Sequence, residues 1–421
     1  MLFRSKGEAT DGHRFLDGAL SKGASGLLVS ERSDEPHVRV EDTMAALEAL
    51  GRASRARTNA TVIGVTGSVG KTGTKEALAA CLARANKGPV HRSVKSYNNH
   101  TGVPLSLARM PADSRFAVFE MGMNHAGEIR ALAAMVRPHV ALITAIAPAH
   151  IENLGSLEAI ADAKAEIFEG LEPRGTAIIP YDSPHCSRLA DAATAAGASK
   201  IITFGRSEAA DVHPVELMPV ADGTQIMAQV SGAQLSFTLA YEGDHWISNA
   251  MGILAAVQAA GGDLAAAGLA LGSMEGLAGR GARYTLTARD GGTALLIDES
   301  YNANPASMVA TFAVLAKAKA NRRVVVLGEM RELGPTGPQL HASLAAPILQ
   351  AGVELALLIG EGMKPLVDAL AGSIETLHLP DAASAIVAIQ DRLRAGDALL
   401  IKGSNAVGLG RVVDALKQDV L

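Results

Sequence analysis

The hydrophobic pattern changes period several times along the chain. From Thr61, short β-branched runs alternate with helical stripes. The run "TVIGV" (61–65) reads as a buried strand leading straight into the glycine-rich stretch "TGSVGKTG". Behind it Leu78, Cys81, Leu82 and Ala85 recur at the i, i+3, i+4, i+7 spacing of an amphipathic helix. The runs "RFAVFE" and "VALITAI" are further strands of buried type, each ending in polar residues. That arrangement predicts a parallel sheet whose ligands gather beyond the carboxyl ends of its strands. Residues 205–240 alternate apolar with polar positions, which predicts antiparallel strands appended to the sheet, and a helix around Asn249–Ala260 follows. After the glycine-punctuated "GLAGRGARY", the runs "TALLIDE", "RRVVVLG", "ELALLIG", "IETLHL" and "ALLIKG" predict a second, smaller doubly wound unit. Ahead of Thr61 the signal is weaker: a strand-like "SGLLVS", an Ala/Leu helix over Thr43–Ala53 and a polar stretch "SRARTNA" that reads as a linker.

The expected organisation is therefore α/β with three parts, 1–55, 56–282 and 283–421. Length agrees, since 421 residues exceed what one ordinary core accommodates. With 48% hydrophobic and 19% charged residues the chain is expected to be globular rather than disordered. A formal net charge of −5 gives no general reason to expect nucleic acid or an anionic membrane as partner, so any basic pocket must be local. The two cysteines, Cys81 and Cys186, lack metal-ligand spacing and fit a reducing compartment. The chain start has no apolar leader segment, and no run approaches about 18 apolar residues, so a cytoplasmic protein without membrane insertion is expected.

The glycine stretch carries the first chemistry. A phosphate-cradling loop needs small residues so that backbone N–H groups can converge, a lysine for the β- and γ-phosphates, and a hydroxyl for Mg²⁺. Gly67, Ser68, Gly70, Lys71, Thr72 and Gly73 supply these between a strand and a helix. The usual spacing would put a further glycine where Val65 stands, so the match to the general pattern is imperfect. The reading is an ATP site. The plainer alternative is a strand–helix turn with an incidental lysine.

The stretch "TGSVGKT" resembles the compressed loop of the Mur ligases, ATP-dependent amide-forming enzymes of peptidoglycan synthesis. The blocks "SYNNHTGVPLSL", "FEMGMNHAGEI", "IAPAHIENLGSLEAIADAKAEIF", "DESYNANPASM" and "LGEMRELG" are similar, in order, to the signatures of the MurF-type branch, and "SYNANP" is the most branch-specific of them. The resemblance spans nearly the whole chain. It implies a UDP-substrate domain over 1–55, an ATP-binding P-loop domain over 56–282 and a Rossmann-like domain over 283–421 that binds the amine. The implied partners are UDP-N-acetylmuramoyl-tripeptide and D-alanyl-D-alanine, acting on a monomer. In this family the first domain begins some tens of residues earlier, so the N-terminal part here resembles a shortened one.

Residue by residue, the resemblance assigns Thr72 and Glu120 to one Mg²⁺, and His150 with Lys164, carried as a carbamate, to a second. The other readings are a helix cap for Glu120, a structural histidine, and a surface Lys164 paired with Asp162 or Glu166. Asn249, at the start of its helix, is placed by the resemblance near adenine, with His245 as a weaker companion. Arg280 falls on the phosphate side as the domains close, and Asp298 on the ribose or the metal-bound phosphates. An interdomain ion pair is the alternative for Arg280. Ser300, Asn302 and Asn304 fall on the amine side, where an Asx-rich turn into a helix with Pro305 in its first turn explains the same letters. Lys402 falls to a substrate carboxylate, and Asn99 and Thr101 to the UDP-sugar-peptide side. Glu299 and Glu329 depart mildly from the family pattern.

Three competing functions remain on sequence alone. One is an amide ligase of the same architecture with another amine, such as a folylpolyglutamate synthase. Another is a catalytically silent nucleotide-binding paralogue. The last is a nicotinamide dehydrogenase, for which neither "GSNAVGLG" nor "VLGEMRELG" has the required glycine spacing.

Overall fold

Each of the long apolar runs forms a strand, because β-branched residues buried on both faces suit a parallel ladder. The computed structural model describes residues 2–3, 12–148, 151–220 and 222–418. These residues form three sheets. The first is small and parallel: Leu2–Phe3 (β1), Leu27–Val29 (β2) and His37–Arg39 (β3).

The second sheet has nine strands. Thr61–Thr66 (β4), Val90–Arg92 (β5), Phe116–Glu120 (β6), Val140–Ile143 (β7), Thr176–Pro180 (β8) and Lys200–Phe204 (β9) are parallel, in the order β9-β8-β7-β4-β6-β5. Val212–Val220 (β10), Gly223–Val230 (β11) and Ala233–Leu239 (β12) add an antiparallel meander beyond β9, as the alternating pattern predicts. Its two faces bury separate cores. Helices Lys71–Arg84, Asp244–Ala259 and Leu264–Gly272 cover one, with Leu78, Cys81 and Leu82 inside it. Burial pushes the Cys81 thiol up to about 12, so this cysteine is inert core.

The third sheet follows the order β13-β14-β18-β15-β16-β17. Its parallel strands are Thr293–Glu299 (β14), Arg322–Gly328 (β15), Val353–Ile359 (β16), Glu375–Leu379 (β17) and Asp397–Lys402 (β18), each anticipated from its apolar run. Ala282–Thr287 (β13) adds an antiparallel edge that sequence reading missed. Its signal was a period-two alternation, with Ala282 and Leu286 buried and Arg283, Thr285 and Thr287 exposed or half-exposed.

Two other expectations are corrected. The helix expected from Asn249 begins at Asp244, where Gly243 ends the preceding turn, so Asn249 is its sixth residue rather than its start. The polar stretch "SRARTNA" is not a free linker over its first half. Helix Thr43–Ala56 runs on through Ser54–Ala56 and packs on helices Gly102–Ala108 and Glu128–Val136.

Arg55 explains the extension. Its buried guanidinium donates to Val136 O at 2.8 Å and Arg137 O at 2.7 Å, and pairs with Glu172 at 3.3 Å. Val136 is the last residue of helix Glu128–Val136 and Arg137 its C-cap, so both carbonyls lie beyond the helix's own hydrogen bonds, at the negative end of its dipole. Arg55→Ala leaves those buried acceptors without a charged donor and is expected to cost about 3 kcal/mol. A shift of the urea midpoint to lower concentration, with unchanged slope, checks this.

Candidate active site

Three strand ends meet in one place. Beyond β4 lies the loop Gly67–Gly70, at the end of β6 stands Glu120, and just past β7 stands Thr144. The loop is strapped to the segment after β7. Ser68 N donates to Ala145 O at 2.8 Å, and the Ser68 hydroxyl both donates to Ala147 O and accepts from Ala147 N. Thr144 Oγ1 donates to Val69 O at 2.6 Å. Helix Lys71–Arg84 then starts with its first amides unpartnered by its own backbone, which gives an anion-binding end.

The glycines here are dictated by space. Gly67 has φ +146°, and a Cβ on it would lie 2.0 Å from Thr144 Oγ1. Gly70 has φ +84°, and a Cβ would meet the Asn249 side-chain amide at 3.0 Å. Asn249 thus touches the loop from the second turn of its helix. Trp246, on the same helix, stacks on Tyr241 with ring centres 4.0 Å apart.

A line of hydrogen bonds crosses from this loop to the third sheet. Glu120 is buried, and its Oε2 accepts from Thr72 Oγ1 at 2.7 Å while Oε1 accepts from Asn98 Nδ2 at 2.7 Å. Since the Thr72 proton goes to Glu120, the Ser96 hydroxyl at 3.1 Å must donate to Thr72 Oγ1. Arg280 Nη2 in turn donates to Ser96 Oγ at 3.1 Å. The Arg280 guanidinium also sits 4.1 Å from the centre of the Tyr301 ring.

Lys71 Nζ donates to Gly67 O at 2.7 Å. Burial holds its ammonium below the ordinary value, Glu120 opposes this, and Arg280 adds to it. Lys164 is buried, and among the described residues its amine has no hydrogen-bond or ion-pair partner. Burial puts it well below its ordinary value, and the charge of Lys71 pushes the same way. The surface ion pair with Asp162 or Glu166 is not formed. Asp162 pairs with Arg188, and Glu166 accepts from the Gly127 and Arg130 amides. His150 lies outside the described residues.

One cavity of ≈ 680 Å³ lies between the second and third sheets. Ser68, Gly70, Lys71, Thr72, Gly73, Asn99, Glu120, His245, Asn249, Arg280, Asn302, Asn304 and Lys402 all reach it. Thr101, Asp298, Ser300 and Lys164 do not line it. The Asp298 carboxylate is buried and committed to the chain: Oδ2 accepts from Gly279 N at 2.7 Å, and Oδ1 accepts from the Ser300 amide and hydroxyl. Asn99 Oδ1 accepts from Gly102 N at 2.9 Å at the start of helix Gly102–Ala108. Asn304 both lines the cavity and caps helix Pro305–Lys317 with a reciprocal Ser307 bond. Lys402 donates to Glu299 Oε2 at 3.2 Å and to Asn302 O at 3.0 Å, so its carboxylate partner belongs to the chain itself.

Ser96, Asn98, Thr144, Trp246 and Tyr301 were not singled out from sequence. Ser96 and Asn98 stand inside the quoted "SYNNH" block, and the letters alone do not show which of five neighbours faces the loop.

Fold and site together define a P-loop nucleotide fold closed by a second parallel-sheet unit. A model of the Mur ligase middle domain matches residues 65–257, and one of the Mur ligase glutamate ligase domain matches 282–405. The chain is 38% identical over 418 residues to the UDP-N-acetylmuramoyl-tripeptide–D-alanyl-D-alanine ligase of Synechocystis, covering 98% of this chain and 87% of that one. It is 33% identical to the Escherichia coli ligase of the same name, over 98% and 90% of the two chains. The crystal structure of MurF from Acinetobacter baumannii superposes with a TM-score of 0.84 at 30% identity, covering 99% of this chain and 90% of that one. The chain belongs to the Mur ligase family.

Two outcomes test the geometry. Gly67→Ala forces a Cβ into Thr144 at a left-handed backbone position, so the variant is expected to lose the rise in Tm that ATP gives the wild type. For Lys164, the unfolded chain takes up a proton that the folded chain resists between the lowered value and 10.5. Stability therefore falls as pH drops through that interval. Lys164→Met is expected to melt above the wild type at neutral pH in CO₂-free buffer, with the gap closing as pH rises towards 10.5.

Proposed function

We infer that this chain is an ATP-dependent ligase that joins D-alanyl-D-alanine to UDP-N-acetylmuramoyl-tripeptide, a step of peptidoglycan precursor synthesis and so of cell-wall biogenesis. The carrying observation is the hydrogen-bonded line from Arg280 through Ser96 and Thr72 to Glu120 at the mouth of the glycine loop. The names of relatives matched over nearly the full chain support the choice of substrates.

Joining a carboxylate to an amine in water is uphill. The carboxylate is activated by taking the γ-phosphoryl group of ATP, which gives an acyl phosphate. The amine then attacks, and phosphate departs from the tetrahedral species. Activation brings anions together, so fixed positive groups must meet them. Lys71, the first-turn amides after Gly70 and Arg280 face that space. Asn249 and Trp246 form the wall beside the loop, where a nucleotide's base and sugar can lie. Domain closure over the cavity would keep water from the acyl phosphate.

The donor set fits a hard cation at Thr72 and Glu120, whose oxygens lie 2.7 Å apart beside the loop. Mg²⁺ bound there would screen the phosphate charge. Lys164 supports a second site: a buried amine with no hydrogen-bond or ion-pair partner among the described residues can take up CO₂, and the resulting carbamate supplies oxygens in place of a cation, with His150 as the family's companion ligand. Asn302, Asn304 and Lys402 line the cavity from the third sheet and are assigned, with Ser300, to the amine substrate; Asn99, which lines it from the other side, is assigned with Thr101 to the nucleotide-peptide. Asp298 is assigned to the same phosphate side through its hold on the Arg280 turn. The chain is read as a monomer, and dependence on ATP suits the cytoplasm. Among the described residues no helix is long and apolar enough to cross a membrane.

Phosphate release in the presence of ATP and the UDP-tripeptide is expected to rise on adding D-alanyl-D-alanine. Stimulation by a different amino acid alone would point to the related ligase instead. Lys71→Ala is expected to lower kcat/KM by about 10³-fold, since its contact with the transferring phosphoryl strengthens in the transition state. Full activity in that variant would overturn the mechanism.

A further inference from the structure

The loop sequence "GKTGTKEAL" holds a second lysine, Lys75, one helical turn after Lys71. Lysine is seldom buried without partners. Lys75 is fully buried, and its ammonium meets three acceptors: Ser93 O at 2.8 Å, Lys95 O at 2.5 Å and Glu76 Oε1 at 2.8 Å. Its three protons are all used. Glu76 is anchored in turn by Arg92 at 2.5 Å.

Ser93 and Lys95 belong to the segment that leaves β5 and crosses beside the glycine loop. Lys95 takes a left-handed backbone, φ +50°. Outside helix and sheet, carbonyls turned away from water need donors from elsewhere, and Lys75 serves two at once, one on buried Ser93 and one on Lys95. The same segment carries the groups that complete the site. Ser93 Oγ accepts from Glu120 N at 3.2 Å, Ser96 links Arg280 to Thr72, and Asn98 orients the Glu120 carboxylate.

We propose that Lys75 is a positioning residue for phosphoryl transfer: it holds the Ser93–Asn98 segment so that Ser96 and Asn98 set Thr72, Glu120 and Arg280 in register. This rests on the ligase reading above. The glycine loop has its own straps to Thr144 and Ala147, so the inference separates two effects. Loss of Lys75 should spoil turnover while leaving nucleotide binding nearly intact.

The test uses the full chain with Lys75→Met, Lys75→Gln, Ser96→Ala and the Lys75→Met/Ser96→Ala pair. For Lys75→Met, kcat is expected to fall about 100-fold while the Kd for ATP changes less than about threefold. Lys75→Gln, which keeps two donor protons, should fall between it and the wild type. The Ser96→Ala penalty should shrink strongly in the Lys75→Met background, because both changes break one line. Amide exchange at Ser96–Asn98 should quicken in Lys75→Met. If Lys75→Met does not fold, Lys75→Gln is judged by the same criteria. Wild-type kcat, equal losses in kcat and ATP affinity, or fully additive penalties would each overturn the proposal. A wild type that releases no phosphate in response to D-alanyl-D-alanine would defeat the ligase reading instead. Unchanged exchange at Ser96–Asn98 would then still overturn the role of Lys75.

Discussion

The site is organised around a carboxylate almost wholly withdrawn from water. Glu120 ends a central strand, and its side chain is buried. Removing it from solvent is costly unless both oxygens find donors. The donors come from separate places, Thr72 on the loop helix and Asn98 on the segment after β5. Hydrogen bonds to a charged group contribute about 1.5–3 kcal/mol each. The same bonds that satisfy Glu120 therefore fix where the Thr72 hydroxyl points and how near the two segments lie. Arg280 joins this arrangement only through Ser96, as its outermost member.

Charge in the cavity is distributed unevenly along this axis. The chain as a whole carries a net −5, yet Arg280 stands close enough to Lys71 to weaken its hold on a proton. On the far wall Lys402 is matched by Glu299. Lys71 and Arg280, for neither of which an ion pair is seen among the described residues, thus face the glycine loop near the buried Glu120. A polyanion is drawn to that side, while the opposite wall offers neutral amides and a paired lysine suited to a zwitterionic amine. This asymmetry is what a reaction between a nucleotide phosphate and a small amino compound requires.

Much of this was legible in the letters. Strands such as Val324–Leu327 and Leu399–Ile401 are continuous apolar runs that admit few other structures, and the glycine loop announces itself by its glycines and lysine. What escaped is of another kind. Ser54–Ala56 looked like linker because an arginine among small polar residues reads as solvent-exposed, and only the packed helix shows two terminal carbonyls waiting for it. The start at Asp244 was missed because His245 and Trp246 gave no capping signal. Lys75 drew no attention in the sequence, and two of its partners are carbonyls 18 and 20 residues away. Side chains that recognise backbone leave no mark in the sequence of the backbone they recognise.

Asp298 shows how a motif and its geometry can part. The resemblance gives it to the nucleotide, whereas here both oxygens serve the chain, one of them holding the amide of Gly279. Gly281 N donates to Asp298 O, and Tyr301 N to Gly279 O, so the Gly279–Gly281 turn is tied at three points to the end of β14. Arg280, stacked on Tyr301, therefore travels with the third sheet. Among the described residues its one hydrogen bond across the cleft is the one to Ser96. An opening of the cavity that preserved the two sheets would break that bond and leave the Tyr301 stack whole. Asp298 thereby meets the cavity only through the Arg280 turn that it holds, and not through its own oxygens.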